Sequence, residues 1–210
     1  MDRSRDAHKR WILCDHCDAI HRLSPEARGF FCAHCGLEQV VPERDDRPLA
    51  HPRSPTHRMG VAAYAAFLRA QDGQRAPLPP HLAPLVHVGE LNPSRHTTAE
   101  GRFRQARLDL RRSPNARARE DLYWLALLLS NDHVAADELD RQRAVLETAL
   151  DLVTLPRHRQ VLRCMLGMHH AAAGDLDGAE AWILPCDPKS GDLQADSALR
   201  VLAAFVATAR

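Results

Sequence analysis

Four of the six cysteines fall as two pairs, Cys14-Asp-His-Cys17 and Cys32-Ala-His-Cys35, with fourteen residues between the pairs. Two residues between paired cysteines let one tight turn aim both sulfurs at a single point. Fourteen more are enough for a strand, a loop and a returning strand that bring the two turns together. The spacing predicts a small β zinc ribbon in which Cys14, Cys17, Cys32 and Cys35 hold one structural Zn²⁺. A redox dithiol, free thiols or bound iron are the alternatives. Gly36 follows the second pair, where such a turn commonly needs φ > 0. Asp18 stands at the same place after the first pair, a less suitable residue for that conformation. A unit of this size has too little core to fold alone, and the ~10–16 kcal/mol of apparent zinc binding supplies the difference. Four thiolates close the tetrahedron, so the metal is expected to be structural and not catalytic. His16 and His34 then read as exposed turn residues.

Composition narrows the classes open to the chain. It has 210 residues, 45% of them hydrophobic, and a formal charge of +1. A large excess of one sign, the simplest argument for a nucleic-acid or membrane partner, is missing. No apolar run approaches the ~20 residues that cross a bilayer. The first ten residues are polar and lead into no apolar signal core, so a cytoplasmic location is expected. There, paired CxxC reads as metal binding and not as a disulfide framework.

The segment Cys14-Asp-His-Cys-Asp-Ala-Ile-His-Arg-Leu23, followed by Phe31-Cys-Ala-His-Cys-Gly36, resembles the zinc ribbons of the paraquat-inducible protein A family. The resemblance covers residues 11–41 and implies Cys14, Cys17, Cys32 and Cys35 as ligands. That family consists of integral membrane proteins. This chain has no spanning run, so what the resemblance implies is a ribbon of that style used as a module.

Composition divides the chain into a ribbon (1–42), a linker (43–96) and an all-α domain (97–210). The linker holds eight of the fourteen prolines, which preclude a continuous helix or a central strand. One short helix is predicted inside it, over 61–71. Beyond it, Thr97-Thr-Ala-Glu100 has the form of a capping box and opens a helix to 112. Ser113-Pro114 supplies a cap and a first-turn proline for the next, and Asp132 caps a third. Pro156 opens a fourth, Asp175 caps a fifth, and Asp192 caps a sixth. The fold class is therefore mainly α: a small N-terminal β ribbon followed by helical hairpins, TPR-like or a compact bundle.

Residues 161–184 resemble one tetratricopeptide repeat. Leu166-Gly167 stands at the helix crossing, Gly174-Asp175 at the turn and Ala179 at the small contact of the second helix. The resemblance implies a groove for a peptide or partner helix. A step back of 34 residues puts His133 in the place of Gly167 and Val145 in that of Ala179, so the period fails.

Charge is uneven along the chain. Residues 95–119 carry eight arginines against two acids, and 120–153 carry eight acids against Arg141 and Arg143. Two readings stand: a phosphate-contacting patch, or complementary solvated faces on neighbouring helices. Cys164, Cys186, His169 and His170 read as core and partly buried residues, not as a second metal site.

No catalytic constellation is present, neither a nucleophile elbow nor a phosphate loop, a dinucleotide fingerprint or HExxH. The expected function is a non-enzymatic bacterial adaptor that binds a protein partner through its helical domain, in a groove lined by the second and third helices. One alternative is a nucleic-acid-binding or regulatory protein using Arg10, Arg22 and Arg28 with the basic helix 102–112. Another is a thiol-redox or zinc-responsive switch.

Overall fold

The computed structural model describes residues 9–43 and 78–209. The helix expected over 61–71 lies outside them. Mainly α with a small β ribbon, the described chain divides into two compact units, 10–43 with 78–154, and 155–209. The ribbon thus shares a unit with the first three helices.

The ribbon is two hairpins. Strand β1 (Arg10–Leu13) pairs antiparallel with β2 (Ile20–Leu23), Leu13 opposite Ile20. Strand β3 (Gly29–Phe31) pairs with β4 (Glu38–Val40), Phe31 opposite Glu38. Each encloses one CxxC turn. Residues 78–95 form two short 3₁₀ turns around the pair β5 (Val86–His87) and β6 (Glu90–Leu91). They bury Leu82, Leu85 and Leu91.

Helices α1 (His96–Arg112), α2 (Ala116–Ala135) and α3 (Leu139–Leu152) complete this unit. Phe103 and Leu110 of α1, Leu122, Leu125 and Leu129 of α2, and Leu146 and Leu150 of α3 are all buried. Strand β1 lies against α3. The Trp11 amide donates to Glu147 Oε2 at 3.4 Å and the Leu13 amide to Thr148 Oγ1 at 3.2 Å. Side chains of a helix thereby satisfy the outer edge of a strand that would otherwise present open donors. Trp11 is held between two guanidinium groups, Arg22 at 4.2 Å and Arg143 at 5.4 Å from its ring centre.

Three helix starts differ from their expected places. Asn92 caps the 3₁₀ turn at 93–95, which runs directly into α1, so Thr97 lies inside the helix and caps nothing. Asn115 caps α2 by accepting from the Ala118 amide at 2.7 Å, while Ser113 ends α1. Asp132 is interior to α2, which continues to Ala135. At α2 a nearby residue with extended backbone geometry took the role from the one singled out by type; α1 and α3 begin after Arg95 and Glu138 with no side-chain cap.

The second unit contains α4 (Pro156–Ala172), α5 (Leu176–Ile183) and α6 (Leu193–Ala209). Here the starts at Pro156, Asp175 and Asp192 stand as expected. Asp175 accepts from the Gly178 amide and Asp192 from the Ala195 amide, both at 2.9 Å. Gly167 sits where α4, α5 and α6 meet: a Cβ there would come within 2.5 Å of Leu202 Cδ2 and 3.2 Å of the Ala179 carbonyl.

The α2–α3 and α4–α5 turns are built alike, 37 residues apart. His133 Nδ1 meets Glu138 Oε2, and His170 Nδ1 meets Asp175 Oδ2, each at 2.8 Å. Asp137 (φ 60°) and Gly174 (φ 79°) take the same left-handed position. Ala135, Ala136, Leu139, Asp140 and Ala144 recur as Ala172, Ala173, Leu176, Asp177 and Ala181. An offset of 34 residues misses this correspondence by three residues.

Candidate metal centre

The sulfurs of Cys14, Cys17, Cys32 and Cys35 lie within 4.8 Å of one another. Across the two turns, Cys14 Sγ is 3.6 Å from Cys35 Sγ and Cys17 Sγ is 3.7 Å from Cys32 Sγ. Metal–sulfur bonds of ~2.3 Å in a tetrahedron require edges of about 3.8 Å. The four residues together could hold a metal ion. No other group of three or more cysteine, histidine or acidic residues with converging ligand atoms occurs among the described residues.

The two turns are matched in backbone. The Asp18 amide donates to the Cys14 carbonyl at 3.0 Å, as the Gly36 amide does to that of Cys32 at 2.8 Å. Asp18 has φ 56° and Gly36 φ 74°. An aspartate therefore takes the left-handed conformation its counterpart reaches as glycine, against a steric cost of ~1–2 kcal/mol.

What holds Asp18 there is its side chain. Its carboxylate pairs with Arg104 and Arg107 of α1, and Asp15, inside the same CxxC turn, pairs with Arg111. Arg107 is 0% exposed. Its Nη1 also donates to the carbonyls of Leu13 and Cys14 at 3.3 and 3.4 Å. Burial draws the Arg107 guanidinium below its ordinary pKa, against the opposing pull of Asp18 and Asp15. The hydrogen bond to Asp18 raises that of Arg104. One helix, through residues at i, i+3 and i+7, grips the first turn.

Around the sulfurs sit donors the spacing did not reveal. Gln39 Nε2 donates to Cys14 Sγ at 2.7 Å while its Oε1 accepts from the Asp15 amide at 3.0 Å. His21 Nε2 is 3.2 Å from Cys32 Sγ, its ring 4.4 Å from that of Phe30. Burial opposes ionisation at Cys32, yet the amides of Cys35 and His34 and the His21 side chain bring its thiol down to about 5, while burial pushes the Cys17 thiol up to about 12 and that of Cys35 up as well. Such donors favour thiolate, the form a metal binds. His16 and His34 are exposed, as expected. Gln39 and His21 stand on strands opposite the turns, and only strand pairing brings them in.

Most basic residues of the ribbon and of helix 102–112 are engaged within the unit. Arg102 donates to the His81 carbonyl at 2.9 Å, and Arg111 also to that of Val40 at 3.2 Å. Arg10 donates to the Pro42 carbonyl at 2.6 Å and pairs with Asp151. Arg22 pairs with Asp140 at 3.0 Å and Arg28 with Glu43 at 2.5 Å. Most of the basic helix's carboxylate partners are in the ribbon and not in the acidic stretch that follows it.

In the second unit, Cys164 is fully buried, and its hydrogen bond with Cys186, followed by burial, pushes its thiol well up. Cys186 Sγ also lies 3.7 Å from the Trp182 carbonyl. Among the described residues, no helix is long and apolar enough to cross a membrane. No family model, curated protein or solved structure matches the chain.

Proposed function

We propose that the chain is a non-enzymatic zinc-ribbon adaptor, with one structural Zn²⁺ on Cys14, Cys17, Cys32 and Cys35, that binds a protein partner. Four sulfurs with hydrogen-bond donors around them suit a soft thiolate site, for which Zn²⁺ is the common occupant.

The observation that carries the adaptor reading is the unequal exposure of the two hairpins. In the first turn Cys14, Asp15 and Asp18 are buried beside three arginines, with His16 exposed. The second, with its hairpin β3–β4, presents Phe31 at 67%, Leu37 at 44% and Val40 at 72% exposure. Phe31 and Val40 lie diagonally on one face of the hairpin. Large apolar side chains held outward on a rigid support are the chemistry of a protein contact. The groove expected between the second and third helices is a weaker candidate, since residues 122–130 of α2 and 142–150 of α3 are buried throughout. Arg104, Arg107 and Arg111, already on carboxylates, are poorly placed to hold phosphates.

Two measurements test this. Metal analysis of the purified chain is expected to give one zinc per molecule, lost in Cys14→Ser and Cys32→Ser. A cross-linked pull-down is expected to recover a partner that Phe31→Asp with Val40→Asp loses while the melting temperature holds. Turnover without any recovered protein counts against the adaptor. A mobility shift on random DNA or RNA that falls steeply with salt would favour the nucleic-acid reading instead.

A further inference from the structure

The carboxylate partners of the buried arginine all come from one place. Asp15 and Asp18, and the carbonyls of Leu13 and Cys14, belong to the first CxxC turn, and they surround a guanidinium with no exposure. Arg104 and Arg111 reach the same two aspartates from either side of it.

We infer that metal loading at the four sulfurs is transmitted to α1 through Asp18 and Arg107, so that the ribbon acts as a metal-dependent latch on the helical part of its unit. The inference rests on the reading that the four cysteines hold a metal. Asp18 closes the Cys14–Cys17 turn in its left-handed conformation, its amide on the Cys14 carbonyl and its carboxylate on α1, so it ties the turn to the helix. Without the ion, four crowded sulfurs have nothing to draw them together, and the turn loses its restraint. As the Asp18 carboxylate withdraws, Arg107 is left as a charge in the interior with its main partner gone, the condition a fold tolerates least. Helix α1 must then move to bring the guanidinium to water. The strand β1 is bound independently to α3 through Glu147 and Thr148, so the response is directed at α1 and not at the whole ribbon contact.

Amide hydrogen exchange on the full chain, with zinc content measured on the same samples, tests this. Chelation is expected to speed exchange across 100–112 by roughly 100-fold or more. Asp18→Asn, with zinc still bound, is expected to show that acceleration without chelation. Should that variant fold poorly, Arg107→Met removes the buried charge, and its α1 exchange is expected to ignore chelation. A helix α1 that stays equally protected after zinc is stripped overturns the latch and leaves the metal site standing. A chain that carries no metal when purified overturns both.

Discussion

The carboxylate of Asp18 meets the fully buried guanidinium of Arg107 across 89 residues of sequence. Asp18 occupies a left-handed position otherwise suited to glycine. The pair joins a strained turn to the interior of a helix, so each residue's conformation depends on the other.

Substitution at this position separates the two contributions. Asp18→Ala loses the ion pair and keeps the backbone strain, and a loss of ~3–5 kcal/mol is expected. Asp18→Gly loses the pair but relieves the strain, so it is expected to be less destabilising by about 1 kcal/mol. Urea unfolding of zinc-loaded protein measures both, and an equal effect of the two would remove strain from the account.

Gln39 holds Cys14 Sγ with one end and the Asp15 amide with the other. Gln39→Leu fills similar space without either bond. Metal affinity in a competitive chelator titration is expected to fall by about 10- to 100-fold, the usual effect of losing a group that orients a ligand. Unchanged affinity would show that the backbone alone orients the sulfur.

Two glycines in helices are expected to respond oppositely to alanine. At Gly167 the added Cβ meets Leu202 Cδ2 at 2.5 Å and the Ala179 carbonyl at 3.2 Å, and a loss of roughly 1–3 kcal/mol follows from overpacking. At Gly101 no atom lies within 4 Å, and Gly101→Ala is expected to gain about 0.5–1 kcal/mol from helix propensity. Thermal melts of the two variants give the signs directly.

His158 is 5% exposed, and burial, then the neighbouring Arg157, lower its pKa from 6.5 to about 4. Burial lowers that of His133 as well. In this range the unfolded chain binds the proton that the folded chain refuses. Stability is therefore complete above pH 6.5 and declines as the pH falls from there towards 4, by at most ~1.4 kcal/mol per pH unit for each histidine. His158→Gln is expected to flatten its share of that slope. Urea midpoints of wild type and variant at pH 7, 5.5 and 4.5 test this through their difference, which cancels the acid response common to both.

The features readable in the sequence are those whose partners lie within a few residues. The CxxC spacing placed four sulfurs because each pair closes through its own turn, and only two short strands and a loop separate the pairs. Pro156 marked a helix start because its own fixed φ suits the first turn, and Asp175 and Asp192 because a side-chain oxygen accepts from the amide three residues on. Thr97, Ser113 and Asp132 had the same credentials, but Asn115 took the role of Ser113, a 3₁₀ turn runs straight into the helix that holds Thr97, and Asp132 lies inside a helix that continues past it. The two similar hairpins escaped a search at 34 residues because helix and turn lengths here make the step 37. What only tertiary structure decided is where the charges go. Asp15 and Asp18 find Arg104, Arg107 and Arg111 because β1 packs on α3 and α1 lies alongside the first turn. Coulombic attraction carries no sequence register, so the partner of a charge is set by whatever the packed elements bring within reach.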